Sequence, residues 1–141
     1  MDREHLYRGK RKDNGEWVIG YYFCMHHNDG RTHIHHFIIP IDAEIPKDKP
    51  IGEIQVEVIP ETVGEYTGEQ DKNGKKIFEG DICSKFSNYS GKKIFFSIVF
   101  EQGLFYARYS ETAGMPLCDI CEKVEIIGNI HDNPELLEVA E

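Results

Sequence analysis

VGEYTGEQDKNGKKIFEGDI, residues 63–82, carries two runs of about strand length on either side of Asp71-Lys72-Asn73-Gly74. An Asn-Gly pair supplies the two consecutive positive φ values of a type I′ turn, so the segment reads as a tight β-hairpin. Gly80-Asp81 interrupts the second run just ahead of Ile82-Cys83. A bend or restart is expected there, as at the corner of a small barrel.

The same turn chemistry recurs towards the N-terminus. Residues 6–11, then Asp13-Asn14-Gly15, then WVIGYYFC at 17–24 give strand, turn and an aromatic-rich strand,. The echo between NGEWVIG and NGKKIFEG is short and gapped, and reads as convergent turn chemistry rather than a repeat. Asp29-Gly30 is a further type I′ signal that extends the hairpin into a meander. Residues 40–50, PIDAEIPKDKP, place three prolines in eleven residues. Each proline lacks a backbone donor, so an exposed extended connector is expected. Residues 53–58 alternate strictly, which predicts a strand with Ile54, Val56 and Val58 on its buried face,.

Beyond the central hairpin, residues 92–101 and 103–110 flank a Gln102-Gly103 turn and form the most hydrophobic part of the chain. They are expected to anchor the core. Gly114-Met115-Pro116 breaks that pair, and residues 124–130 read as a closing strand. Asn133-Pro134-Glu135 combines a capping residue, proline at the first helical position and an acid in the first turn, which predicts a short C-terminal helix,. The fold expected is mainly β. An antiparallel meander over residues 1–62 joins a small, partly open SH3-like barrel over 63–141 with a short C-terminal helix, as two subdomains or one compact domain.

With 141 residues, 40% hydrophobic and 29% charged, the chain can bury a core without disulfide staples,. Sixteen basic against twenty-five acidic residues give a net charge of −9, which on average repels a phosphate backbone and makes nucleic acid a poor partner,. The basic group Arg8, Lys10, Arg11 and Lys12 reads as the charged protection of an edge strand. No signal-like apolar run opens the chain, and no stretch approaches the roughly 20 apolar residues that cross a bilayer. A cytoplasmic protein is expected. Its four cysteines, Cys24, Cys83, Cys118 and Cys121, are then reduced thiols or metal ligands,.

One cluster has the residue types of a metal site. If Asp29-Gly30 is a two-residue turn, or lies in a four-residue loop, counting outward sets His26 against His33 and Cys24 against His35. Cys24, His26, His33 and His35 would then project from one face of a ribbon, and thiolate with neutral imidazole is the donor set Zn²⁺ prefers. The competing reading is ordinary cross-strand stacking of imidazoles, with no cofactor. Cys118-Asp119-Ile120-Cys121 has the spacing of half a zinc site or a redox pair, yet no second such motif accompanies it, and free semi-buried cysteines account for it,. Nucleophile-elbow, P-loop, dinucleotide-binding and zinc-protease motifs are all missing from the sequence, so no catalytic residue is assigned.

Three blocks carry a family resemblance: YRGKRKDNGEWVIGYY from Tyr7, PETVGEYTGEQDKNGKKIFEGDI from Pro60, and VEIIGNIHDNPELL from Val124. Together they resemble the YopX family of phage and prophage proteins. Glu69-Gln70 and the histidine-rich stretch from His26 to His36 depart from that pattern. The resemblance implies a β-rich phage or prophage protein of uncharacterised function, and it brings no functional residues with it. The expected function is therefore a non-enzymatic accessory module that binds a host or phage protein through sheet edges and aromatic surface, the acidity favouring a basic partner. A zinc protein and a nucleic-acid-binding protein are the rival classes, and assembly with identical copies is left open.

Overall fold

The computed structural model describes residues 4–28, 32–42 and 54–138. Among these residues the fold is mainly β, with two antiparallel sheets and one short α-helix. It divides into two compact units, residues 1–65 and 66–141. No helix among the described residues is long and apolar enough to cross a membrane.

The first unit contains β1 (Tyr7–Lys10), β2 (Trp17–Asn28), β3 (Thr32–Pro40), β4 (Val56–Glu57) and the first residues of β5 (Gly64–Gln70), in the order β4-β3-β2-β1-β5. β-branched and aromatic side chains make β2 and β3 good strand formers, and alternation turns Ile38 inward with no exposed surface,. Leu6 and Val58 complete that buried set. Two glycines let the backbones close up around it. A Cβ on Gly9 would crowd Val58 and Val63, and one on Gly20 would collide with the carbonyl oxygen of Ile39. Thr62, in the 3-10 turn Pro60–Thr62, accepts the Lys10 amide at 2.8 Å and donates to the Ile59 carbonyl at 2.6 Å.

Two expectations change here. β1 is not an edge strand, because Tyr7 and Arg8 pair with Glu65 and Gly64 on the side away from β2. Its basic side chains pack instead: the Arg8 guanidinium lies 4.8 Å and the Lys10 ammonium 5.5 Å from the Trp17 ring,. Of the strand expected at residues 53–58, the described residues 54–58 form only Val56–Glu57, with Val58 held by an isolated bridge to Arg11. Most of the proline-rich connector, residues 43–50, lies outside the described residues, and Pro40 is the last residue of β3.

The second unit begins with the remainder of β5 paired to β6 (Lys76–Phe78). β7 (Asp81–Phe86), β8 (Lys93–Glu101), β9 (Leu104–Arg108), β10 (Gly114–Pro116) and β11 (Glu125–Asn129) then form an open sheet in the order β10-β9-β8-β7-β11. That arrangement is not a closed barrel, and a partly open one is compatible with it. Phe96, Ile98 and Ala107 from the β8–β9 pair are buried against Ile77, Cys83, Leu117 and Val124, so the most hydrophobic hairpin does anchor the core. The restart at Gly80-Asp81 is also present. Gly80 has φ +92, and the buried Asp81 carboxylate accepts the Phe78 amide at 2.7 Å. Gly114-Met115-Pro116 does not break the sheet as expected but adds its short outer strand, paired with β9. The helix α1 (Glu135–Glu138) follows Pro134.

The turns stand where the Asn-Gly pairs place them, with different geometry. At Asn14-Gly15 and Asn73-Gly74 only the glycine has positive φ, +74 and +79, so neither is type I′. Side-chain oxygens close these loops instead: Asn14 accepts the Glu16 amide, and Asp71 accepts those of Asn73 and Lys75,. The consecutive positive φ values of a type I′ turn occur at Gln102 (+51) and Gly103 (+80), between the paired Glu101 and Leu104,.

Candidate functional site

Pairing in the first unit leaves one part of its sheet only two strands wide. β1 pairs with β2 no further than Gly20, and β4 meets β3 at Phe37 and Ile38 alone. Residues 21–28 and 32–35 therefore make a ribbon that, among the described residues, has no third strand. Both of its faces reach solvent.

One face is apolar. Ile19, Tyr21 and Met25 are 37%, 55% and 49% exposed along β2. Between them Phe23 and Phe37 stack across the strands at 5.4 Å, and His35 stacks on Phe37 at 6.3 Å. At the base of this face the Glu57 carboxylate accepts the Lys12 ammonium at 3.0 Å and faces His35 Nδ1 at 3.2 Å. Lys12 first, then His35, hold the Glu57 carboxyl below the ordinary range.

The opposite face carries the thiol. Tyr22 hydroxyl lies 2.5 Å from His36 Nδ1 and 3.1 Å from Cys24 Sγ, and Cys24 Sγ is 3.4 Å from the same imidazole nitrogen. The Tyr22 and His36 rings stack with an interplanar angle of 10°, while Tyr7 packs on Tyr22 at 5.2 Å. Burial, followed by the hydrogen bond to Cys24, pushes the Tyr22 phenol up to about 12. It stays protonated and acts as a donor through the physiological range.

The four expected metal ligands do not share a face. Asn28 pairs with Thr32, so three residues lie between the paired ends, and Cys24 stands opposite His36, Met25 opposite His35, and His26 opposite Ile34. An odd connection shifts the register by one residue relative to an even one, and a one-residue shift sends the whole strand to the other face. Cys24 and His26 thus lie on one side, and His33 and His35 on the other with their rings 6.4 Å apart. Among the described residues no group of three or more His, Cys, Asp or Glu side chains gathers as a metal-binding set. The Asp29-Gly30 turn itself lies outside the described residues.

The second cysteine pair sits in consecutive 3-10 turns, Leu117–Asp119 and Cys121–Lys123. Cys118 is exposed and 3.8 Å from the Asp119 carboxylate, whereas Cys121 is buried and 3.4 Å from Glu69 Oε2. Burial, then the Glu69 contact, pushes the Cys121 thiol up to about 11. Cys121 therefore sits beside a group that opposes its ionisation.

A family model described as "YopX protein" matches residues 6–138. The chain belongs to the YopX family. Among solved structures, protein EF1440 from Enterococcus faecalis is similar over 96% of this chain and 99% of its own, at 23% identity and TM-score 0.57. The structure of protein yopX from Bacillus subtilis covers 94% of this chain and 95% of its own, at 17% identity and TM-score 0.49. The first likeness concerns the fold alone. No curated protein matches this YopX-family chain.

Residue-type reasoning singled out Cys24 in this member of the YopX family and missed Tyr22 and His36 beside it. The missing signal is the parity of the connection between β2 and β3. Had three residues been counted there rather than two or four, His36 would have faced Cys24, and Tyr22 would have followed as the next same-face residue on β2.

Proposed function

We propose that this YopX-family chain is a non-enzymatic binding module, an accessory protein of a phage or prophage, that holds a basic protein partner on the ribbon of its first unit. The observation behind this reading is the apolar face of β2 and β3, where Ile19, Tyr21 and Met25 are exposed around the Phe23–Phe37 stack. Large exposed apolar side chains gathered on one surface mark interaction sites, and aromatic residues and Met are enriched in the buried centres of protein interfaces. The net charge of −9 supports a partner rich in lysine and arginine, because complementary charge draws such a partner in and rejects acidic ones,. The resemblance that suggested a phage or prophage setting supports the accessory role.

The test is a comparison, in host extracts, of the native chain with a variant carrying Tyr21→Ser and Met25→Ser, each washed at low and at high salt. The expected result is a basic protein retained by the native chain, lost from the variant and released by salt. Equal retention by the two chains, or retention indifferent to salt, overturns the reading.

A further inference from the structure

Cys24 stands beside an imidazole. Cys83 is fully buried, Cys121 is buried against Glu69, and Cys118 is exposed but lies next to the Asp119 carboxylate. Cys24 is exposed, with His36 Nδ1 at 3.4 Å and the Tyr22 hydroxyl at 3.1 Å from its sulfur. These three groups come from adjacent positions of β2 and β3, so the register of the ribbon holds them together.

We propose that Cys24 is a modification site: a thiol activated by His36 and Tyr22 that exchanges with small-molecule disulfides to form a mixed disulfide. In the resting arrangement the Tyr22 hydroxyl donates to His36 Nδ1 and accepts from the thiol. For reaction, the thiol proton passes to Nδ1, and the hydroxyl turns to donate to the sulfur that now carries the negative charge. Imidazolium and phenol then both donate to the sulfur. The thiolate attacks one sulfur of the incoming disulfide, and the bond between the two small-molecule sulfurs breaks. A new disulfide to Cys24 forms, and the other half leaves as a thiolate that takes up the proton held by His36. No net oxidant beyond the small disulfide is consumed. Both the attacking sulfur and its path to solvent lie on the face opposite Tyr21 and Met25, so modification and the proposed docking surface occupy different sides of one ribbon.

The titratable groups on the thiol's face are Tyr7 from β1, Tyr22 and His26 from β2, and His36 from β3, with Glu65 of β5 paired beside Tyr7, four residues along β2 from the level of Cys24. The contrast with Cys118 and Cys121, each beside a carboxylate, makes the inference selective.

The test treats the full chain with limiting glutathione disulfide at neutral pH and follows each cysteine by peptide mass spectrometry. Cys24, with an imidazole and a phenol on its sulfur, is expected to react about tenfold faster than Cys118. His36→Gln should slow Cys24 by a similar factor and leave Cys118 unchanged. Tyr22→Phe should slow it less. Cys83 reports on folding in each variant, since it reacts only when the core opens. Two results overturn the proposal: equal rates at Cys24 and Cys118 in the native chain, or an unchanged Cys24 rate in His36→Gln with Cys83 still protected. The native-chain ratio stands as a test even if a variant unfolds.

Discussion

Gln102 is the one described non-glycine residue with positive φ, at +51. An L-residue with a long side chain in the left-handed region carries a steric cost of roughly 1–2 kcal/mol, which glycine avoids and asparagine reduces. Gln102→Gly is therefore expected to stabilise the chain by about 1 kcal/mol, and Gln102→Asn by less, measured as a rise in the urea midpoint at unchanged slope. Asp71 is the opposite case, a buried polar residue that earns its place. Burial pushes its carboxyl up, but the amides of Ile126, Lys75 and Asn73 outweigh that and hold it below the ordinary value. Because its folded pKa is depressed, the stability it contributes is complete above the unfolded carboxylate pKa of about 3.9 and is lost as pH falls through the folded value. Asp71→Asn is expected to cost about 1–3 kcal/mol at neutral pH, since Nδ2 cannot accept the Ile126 amide. Chemical denaturation of the two proteins from neutral to acid pH should show that gap narrowing below about pH 4.

At the level of strands, the length of the β2–β3 connection governs which side chains share a face. Three residues lie between the paired Asn28 and Thr32. Inserting one glycine there is expected to turn β3 over relative to β2, forcing Ile38 out of the core, whereas inserting two preserves the facing pattern. Urea denaturation checks this: a large fall in the midpoint for the single insertion and a small one for the double. The same point explains what could be read from the sequence. Strand positions and the Gly80-Asp81 restart were legible because Asn-Gly pairs and alternation are local signals. The partner of Cys24 was not, because Asp29-Gly30 fits connections of two, three or four residues, and only the paired backbone distinguishes them. The outermost strand, Gly114–Pro116, escaped for another reason: a proline at a sheet edge needs no donor, so the residue that argues against a strand inside a sheet is compatible with one at its margin,.

Across the molecule, charge and apolar surface are unevenly distributed. The chain carries −9 overall, yet residues 82–100 contain no Asp or Glu and include Lys85, Lys92 and Lys93. Net charge describes the average field and not the surface a partner meets. The family match extends over residues 6–138, while the ribbon chemistry depends on three particular positions, Tyr22, Cys24 and His36. β5 gives its first residues to β1 in one unit and later ones to β6 in the other. A fragment ending at residue 65 would keep Gly64 and Glu65 for β1, and one beginning at residue 66 would keep Tyr66 and Gln70 for β6, but each would have its terminus inside the strand. The border between the halves is thus a shared length of chain rather than a peptide bond, and independent expression of either half calls for overlapping termini that both include residues 64–70.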